Sequence, residues 1–172
     1  MNQIKRLIVW LRRIHRCQGF GIQSPSDYSF VRNVVNEHWP YYAYDDLKND
    51  DWLQQKLGRL YFRLANWRRP TQMFPDEYEK YWQAGSRHIR FTDSIDTVEL
   101  VRLKVDDIAL YESLLPKCNE HSVMVIENIC SEHSRWRGIE RDKRTGTTFD
   151  LYYCGMVFFD KKRYKHHYTI NF

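Results

Sequence analysis

Long apolar runs are missing from this sequence, and no stretch approaches the ~18–20 residues that a membrane-crossing helix requires. Missing too, near the start, are the uninterrupted apolar segment and small-residue cleavage site of a secretory signal. Without either, the chain is expected in the cytoplasm, with no transmembrane segment. Cysteine is scarce: Cys17, Cys118, Cys130 and Cys154 lie far apart and form no C-x-x-C pair. That spacing speaks against disulfides and zinc and for reduced thiols. Nor is there an internal repeat, a low-complexity tract or a composition-marked linker to divide the 172 residues. A single domain follows, large enough to bury a core without metal or cross-links.

Aromatic side chains, by contrast, are abundant, with 6 Trp, 12 Tyr and 9 Phe. Most members of the set Trp10, Trp52, Trp67, Trp82 and Trp136 fall on apolar helix faces, so core packing is expected of them rather than base stacking. The net charge is +5. Its basic residues cluster at Lys5, Arg6, Arg12, Arg13 and Arg16, and again at Lys161, Lys162, Arg163, Lys165, His166 and His167. Such clusters suit phosphates, but they equally form solvated helix and turn faces, and the middle of the chain is nearly balanced. No strong nucleic-acid signal results.

Periodicity predicts a helix over residues 1–17, where Ile4, Leu7, Ile8, Leu11 and Ile14 recur at three- and four-residue spacing opposite basic residues. The expected use of that stripe is docking on its own domain or on a second subunit, with an anionic membrane as the alternative. Residues 19–25 are breaker-rich, and their G-x-G lacks the preceding strand of a dinucleotide fingerprint. Ser26 or Asp27 is the expected cap of a helix carrying Phe30, Val31, Val34 and Val35. A further helix is predicted over 50–67 and closed by Pro70. The second half alternates: strands over 71–74, 88–91, 98–103 and 122–126, with helices over 76–84, 106–115 and 134–141. Strands over 147–153, 155–159 and 168–172 finish the chain. This pattern predicts an α/β sheet, mostly parallel, with an antiparallel C-terminal edge. Residues 1–70 form a mostly helical region and 71–172 an α/β core.

Several segments, in order, resemble a group of class I S-adenosylmethionine-dependent methyltransferases common in Bacteroidetes. They are residues 15–25 (HRCQGFGIQSP), 41–44 (YYAY) and 58–67 (GRLYFRLANW), then 99–103 (ELVRL), 114–116 (LLP) and 122–129 (SVMVIENI). Residues 136–139 (WRGI), 149–159 (FDLYYCGMVFF) and 169–172 (TINF) complete the likeness. The resemblance implies a Rossmann-like methyltransferase-type sheet, here truncated, preceded by N-terminal helices.

The same resemblance implies an acid and a glycine-rich loop after the first strand, where the backbone approaches the cofactor. The matching stretch, 71–78 (TQMFPDEY), contains no glycine and has proline at the turn. Asp76 and Glu77 put negative charge there, and a pair starting a helix is their ordinary role. Only 24 residues, 75–98, separate Phe74 from Glu99. A βαβ unit takes ~30 or more, so the strand whose terminal acid binds the cofactor ribose has only a reduced path, with Asp93 as its candidate acid. Lys104 stands where the family carries an acid. Glu127 and Asn128, after the strand at 122–126, offer oxygen ligands to a cofactor or hard cation. Asp76, Asp93, Glu127 and Asn128 are thus the candidate cofactor contacts, while no catalytic residue and no metal site is assigned. Cys130 and His133, with Glu132 beside them, would be a nucleophilic pair only if they met in space with an orienting group, which adjacency in sequence does not show, and an exposed pair in a turn is the expected role of His166–His167 rather than metal or anion binding. The expected function is that of a non-catalytic methyltransferase-like protein, a structural or interaction module that binds no cofactor and works as a homo-oligomer or with a protein partner. The alternatives are a minimal S-adenosylmethionine-dependent methyltransferase and a basic-surface binder of nucleic acid or anionic membrane.

Overall fold

In the computed structural model, which describes residues 3–48 and 51–172, helices come first and strands follow. Helix α1 (Gln3–Arg12) tightens into a 3-10 turn over Ile14–Gly19, so the expected helix through residue 17 is shorter. Its orientation corrects the expected docking on its own domain. Leu7, Ile8, Leu11 and Ile14 are exposed, whereas Arg6, Val9 and Arg13, spaced three and four apart, are partly covered. Polar clamps set this rotation. Arg13 donates to the Asp150 carboxylate at 2.9 Å, and the Arg6 guanidinium lies 4.1 Å above the Trp52 ring.

Helix α2 (Pro25–Phe30) is capped by Ser24, whose Oγ accepts from the Asp27 N–H, and not by Ser26 or Asp27. The reason is Pro25: having no N–H to leave unsatisfied, it suits the first helical position, which puts the cap one residue before it. The helix continues as a π turn, Val31–Val35, whose carbonyls at Val34 and Val35 accept from buried Arg63. Short α3 (Ala43–Asp46) leads to α4 (Trp52–Arg68), where the Asp51 side chain accepts from the Gln54 N–H at 2.8 Å. The predicted start at Asp50 lies outside the described residues. Arg69 ends α4 in the left-handed region, φ 52°, just before Pro70.

Strands β1 (Gln72–Met73) and β2 (Arg90–Phe91) pair in parallel around α5 (Glu79–Gly85) as a small separate sheet. Next come β3 (Val98–Lys104), α6 (Ile108–Leu114) and β4 (Cys118–Glu127), a second parallel unit. After α7 (His133–Arg141) the chain adds β5 (Thr148–Asp150), β6 (Cys154–Phe158) and β7 (His167–Thr169). The main sheet has the order β3-β4-β6-β5-β7. Strand β6 alone opposes its neighbours, and it lies between β4 and β5 rather than at the predicted edge. Burial accounts for this: β6 is apolar and almost wholly covered, as an inner strand must be, while the edge strand β7 is partly exposed and parallel to β5. The two sheets meet at Thr71, whose N–H and Oγ1 donate to the Glu99 carboxylate at 2.5 and 3.0 Å.

Side chains alternate across the main sheet into two cores. Leu100, Val123, Val125 and Met156 pack with Leu60, Tyr61 and Leu64 of α4 and Trp82 of α5. On the other face Val101, Leu103, Met124 and Val157 meet Tyr111, Leu114 and Trp136. Of the tryptophans assigned to the core, only Trp82 and Trp136 are fully buried; Trp10 lies on an open flank of α1, and Trp52 and Trp67 lie at the two ends of α4, where the core gives out. Among the described residues no helix is long and apolar enough to cross a membrane.

Candidate functional site

Ligands of open α/β sheets gather beyond the carboxyl ends of the parallel strands. Here β3 and β4 end at Lys104 and Glu127, next to the stretch 74–78 that leaves β1. Alternation directs Leu100 and Arg102 of β3, and Val123, Val125 and Glu127 of β4, toward α4. Arg102 pairs in register with Val125, so Glu127 is its diagonal neighbour on the same face.

The Arg102 side chain is only 6% exposed. It donates to Glu127 at 2.7 Å and to both oxygens of Glu77 at 3.0 and 2.5 Å, with the Asp76 carboxylate 3.6 Å away. The second Glu127 oxygen accepts from the Tyr61 hydroxyl. Tyr61 stacks on Trp82 with ring centres 4.6 Å apart and meets Tyr78 edge-on at 4.8 Å. The Arg102 guanidinium lies 4.8 Å from the Tyr78 ring. Asp76 closes the circle by accepting from the Trp82 indole N–H at 3.0 and 3.1 Å and from the Tyr78 N–H at 2.7 Å.

Burial and neighbouring charges shift several of these groups in different directions. Burial raises the Tyr61 phenol far above its usual range, and the Glu127 charge adds to the effect, so Tyr61 remains a donor. Burial alone would lower the Arg102 guanidinium, but its hydrogen bond and attraction to Glu127 prevail and raise it. Burial likewise raises Asp76, against the pull of its N–H donors and Arg102. Glu77 falls below its ordinary value because its hydrogen bonds and the Arg102 charge outweigh burial. The carboxylates, hydroxyl and guanidinium thus satisfy one another, except for Arg102 Nε, which is buried without a partner.

Of the residues chosen from sequence, Asp76 and Glu127 come together around Arg102. Asp93 does not: it is exposed in the bend after β2. Asn128, at φ 62°, is an exposed turn residue whose N–H donates to the Tyr153 carbonyl. Asp76 and Glu77 precede α5 instead of opening it, because Asp76 turns back to bind Tyr78 and Trp82. Lys104 is exposed at the end of β3. Among the described residues no group of three or more His, Cys, Asp or Glu could hold a metal ion. Sequence reasoning passed over Arg102 and Tyr61. The available signal was a charged residue two positions beyond Leu100, in a strand whose alternate positions face the core. On the side of the strand ends away from α4 a cavity of about 250 Å³ opens among Leu103, Lys104, Val105, Tyr111 and Ile126, and one of about 570 Å³, lined in part by Leu115, Cys118, Arg144 and Phe159, lies at the amino end of β4. Comparison of the chain with family models, curated proteins and solved structures finds no match.

Proposed function

We propose that this chain is a non-catalytic relative of class I methyltransferases, a cytoplasmic structural or interaction module that has given up the cofactor. The fold-level support is the pair of parallel β-α-β units followed by a strand pair with one antiparallel member, an arrangement compatible with a reduced Rossmann-like sheet. The observation that carries the reading is the filled α4 side of the strand end. Tyr61, Tyr78 and Trp82 pack where a cofactor would lie, and Arg102 neutralises Glu127 and Glu77 from within.

S-adenosylmethionine does not fit these residues. A cationic sulfonium gains nothing beside carboxylates already bound to a buried guanidinium, and Pro75 stands where the backbone would need glycine. The surface is left as the working part of the molecule, toward a second copy or another protein.

Titration calorimetry with S-adenosylmethionine and S-adenosylhomocysteine tests this directly. No binding heat is expected. A dissociation constant tighter than ~100 μM, about −5.5 kcal/mol, overturns the proposal in favour of a minimal methyltransferase.

A further inference from the structure

We infer that α1 and the turn after it form a docking surface for an anionic lipid bilayer. This inference is independent of the closed strand end. It begins from the inverted placement of the helix: Arg6 and Arg13 point at the body, and the leucine and isoleucine stripe points away. The exposure is large: 58% for Leu7, 51% for Leu11, 44% for Ile8 and 39% for Ile14. Phe20, on the turn that follows, is 84% exposed. The orientation is fastened at several points. Arg13 binds Asp150, the Asn171 side chain donates to the Trp10 carbonyl at 3.3 Å, and the Asn171 N–H donates to the Arg16 carbonyl at 3.0 Å. Rolling the stripe inward would break all of these.

Charge selects the occupant. The first 26 residues contain Lys5, Arg6, Arg12, Arg13 and Arg16 and no acid at all; Asp27 is the first. Arg12 and Arg16 are exposed beside the apolar stripe. A second copy would bring the same cationic surface against this one, and like charges repel. Nucleic acid would leave the apolar stripe in water. An anionic bilayer satisfies both features, with leucine and isoleucine entering the acyl boundary and arginines at the phosphates. Trp10, 46% exposed on the flank of the stripe, is placed for the headgroup level that tryptophan favours. The basic cluster at residues 161–165 is largely spent internally: Lys162 pairs with Glu120, Arg163 with Asp27 and Asp160, and Lys165 with the Asp142 carbonyl.

The test is sedimentation of the full chain with vesicles of phosphatidylcholine alone and of phosphatidylcholine mixed with phosphatidylserine. Binding to the mixed vesicles is expected to be at least about tenfold stronger, and to weaken as salt rises. Leu7→Ser with Leu11→Ser, and separately Arg12→Glu with Arg16→Glu, should each reduce it by about tenfold or more. These side chains are exposed, so the thermal midpoint should stay near that of the parent, which separates lost docking from lost folding. Equal binding to neutral vesicles, or none to either, overturns the inference. So does a dimer in solution that Leu7→Ser with Leu11→Ser dissolves without any effect on vesicles, or oligonucleotide binding in place of vesicle binding.

Discussion

The indole of Trp136, on α7, lies directly against the backbone of Gly155 in β6. A Cβ at Gly155 would stand 2.2 Å from the ring, far inside any permitted contact. Trp136 is 1% exposed and has no space into which to swing. Gly155→Ala is therefore expected to destabilise the protein by about 1–3 kcal/mol, the usual cost of overpacking, despite the gain from removing a strand glycine. Urea denaturation measures the difference, and a variant as stable as the parent would show that α7 is not fixed on β6.

Arg102→Met should be more damaging. It strands Glu127, whose side chain is 7% exposed, beside apolar groups without its cation. Breaking a buried pair from one side typically costs about 3–5 kcal/mol. Adding Glu127→Gln to Arg102→Met removes the uncompensated charge and is expected to recover part of the loss. A double-mutant cycle in urea reads the coupling, and simple additivity of the two changes would mean that the pair does not interact.

His167 gives the stability a pH dependence near neutrality. His167 is largely exposed on the edge strand, yet partial desolvation there lowers its imidazole from the usual 6.5, while Glu140 opposes and Lys165, Arg137 and His166 reinforce the shift. The unfolded chain thus takes up this proton before the folded one, and stability rises with pH through the window. The contribution is complete above about 6.5 and declines as pH falls toward the lower folded value. Stability of the parent should therefore drop between about pH 7.5 and 5.5 by more than that of His167→Gln. Proton NMR of the His167 ring checks the direction, and a folded value above 6.5 would contradict it.

Arg13 fastens the N-terminal segment to the sheet. Its guanidinium donates to the Asp150 carboxylate, to the Asp150 carbonyl at 3.1 Å and to the Ile170 carbonyl at 3.4 Å. Arg13→Ala is expected to cost about 1.5–3 kcal/mol, as for hydrogen bonds to charged groups. Trypsin should then cut near Arg12 and Arg16 sooner than in the parent. Unchanged cleavage kinetics would assign the anchoring to Asn171 and the Arg6–Trp52 contact.

How much of this was legible beforehand depends on where the deciding force lies. The strand at Val123–Ile126 and helix α4 were readable because a short apolar run and a helical stripe each encode their own burial. Strand β6 was recognisable as a strand, but its insertion between β4 and β5 comes from pairing, which leaves no local mark. The cap at Ser24 was missed because Pro25 moved it by one residue. The direction of α1 is not legible for a different reason: amphipathicity shows that a helix has two faces, and the partners of Arg6 and Arg13 decide which one turns in. Asp76 and Glu127 are reached through a family likeness, and the structure adds Arg102 as the partner of both, which the likeness did not indicate. A cation two strand positions past a core leucine carries that information only once the register with β4 is known.

The junction at Thr71 and Glu99 has a mechanical consequence. Within the main sheet the strands are laced by backbone ladders, but the β1-α5-β2 unit shares none with β3: Thr71 on Glu99, Arg102 on Asp76 and Glu77, and the packing of Met73, Tyr81 and Trp82 in the α4-side core hold it. This is a seam, and a molecule under load parts at its seams first. Under mild denaturation the two-residue β1–β2 ladder is expected to open and exchange its amides while β4, β6 and the core around Trp82 remain closed, giving the protein a hierarchy of openings.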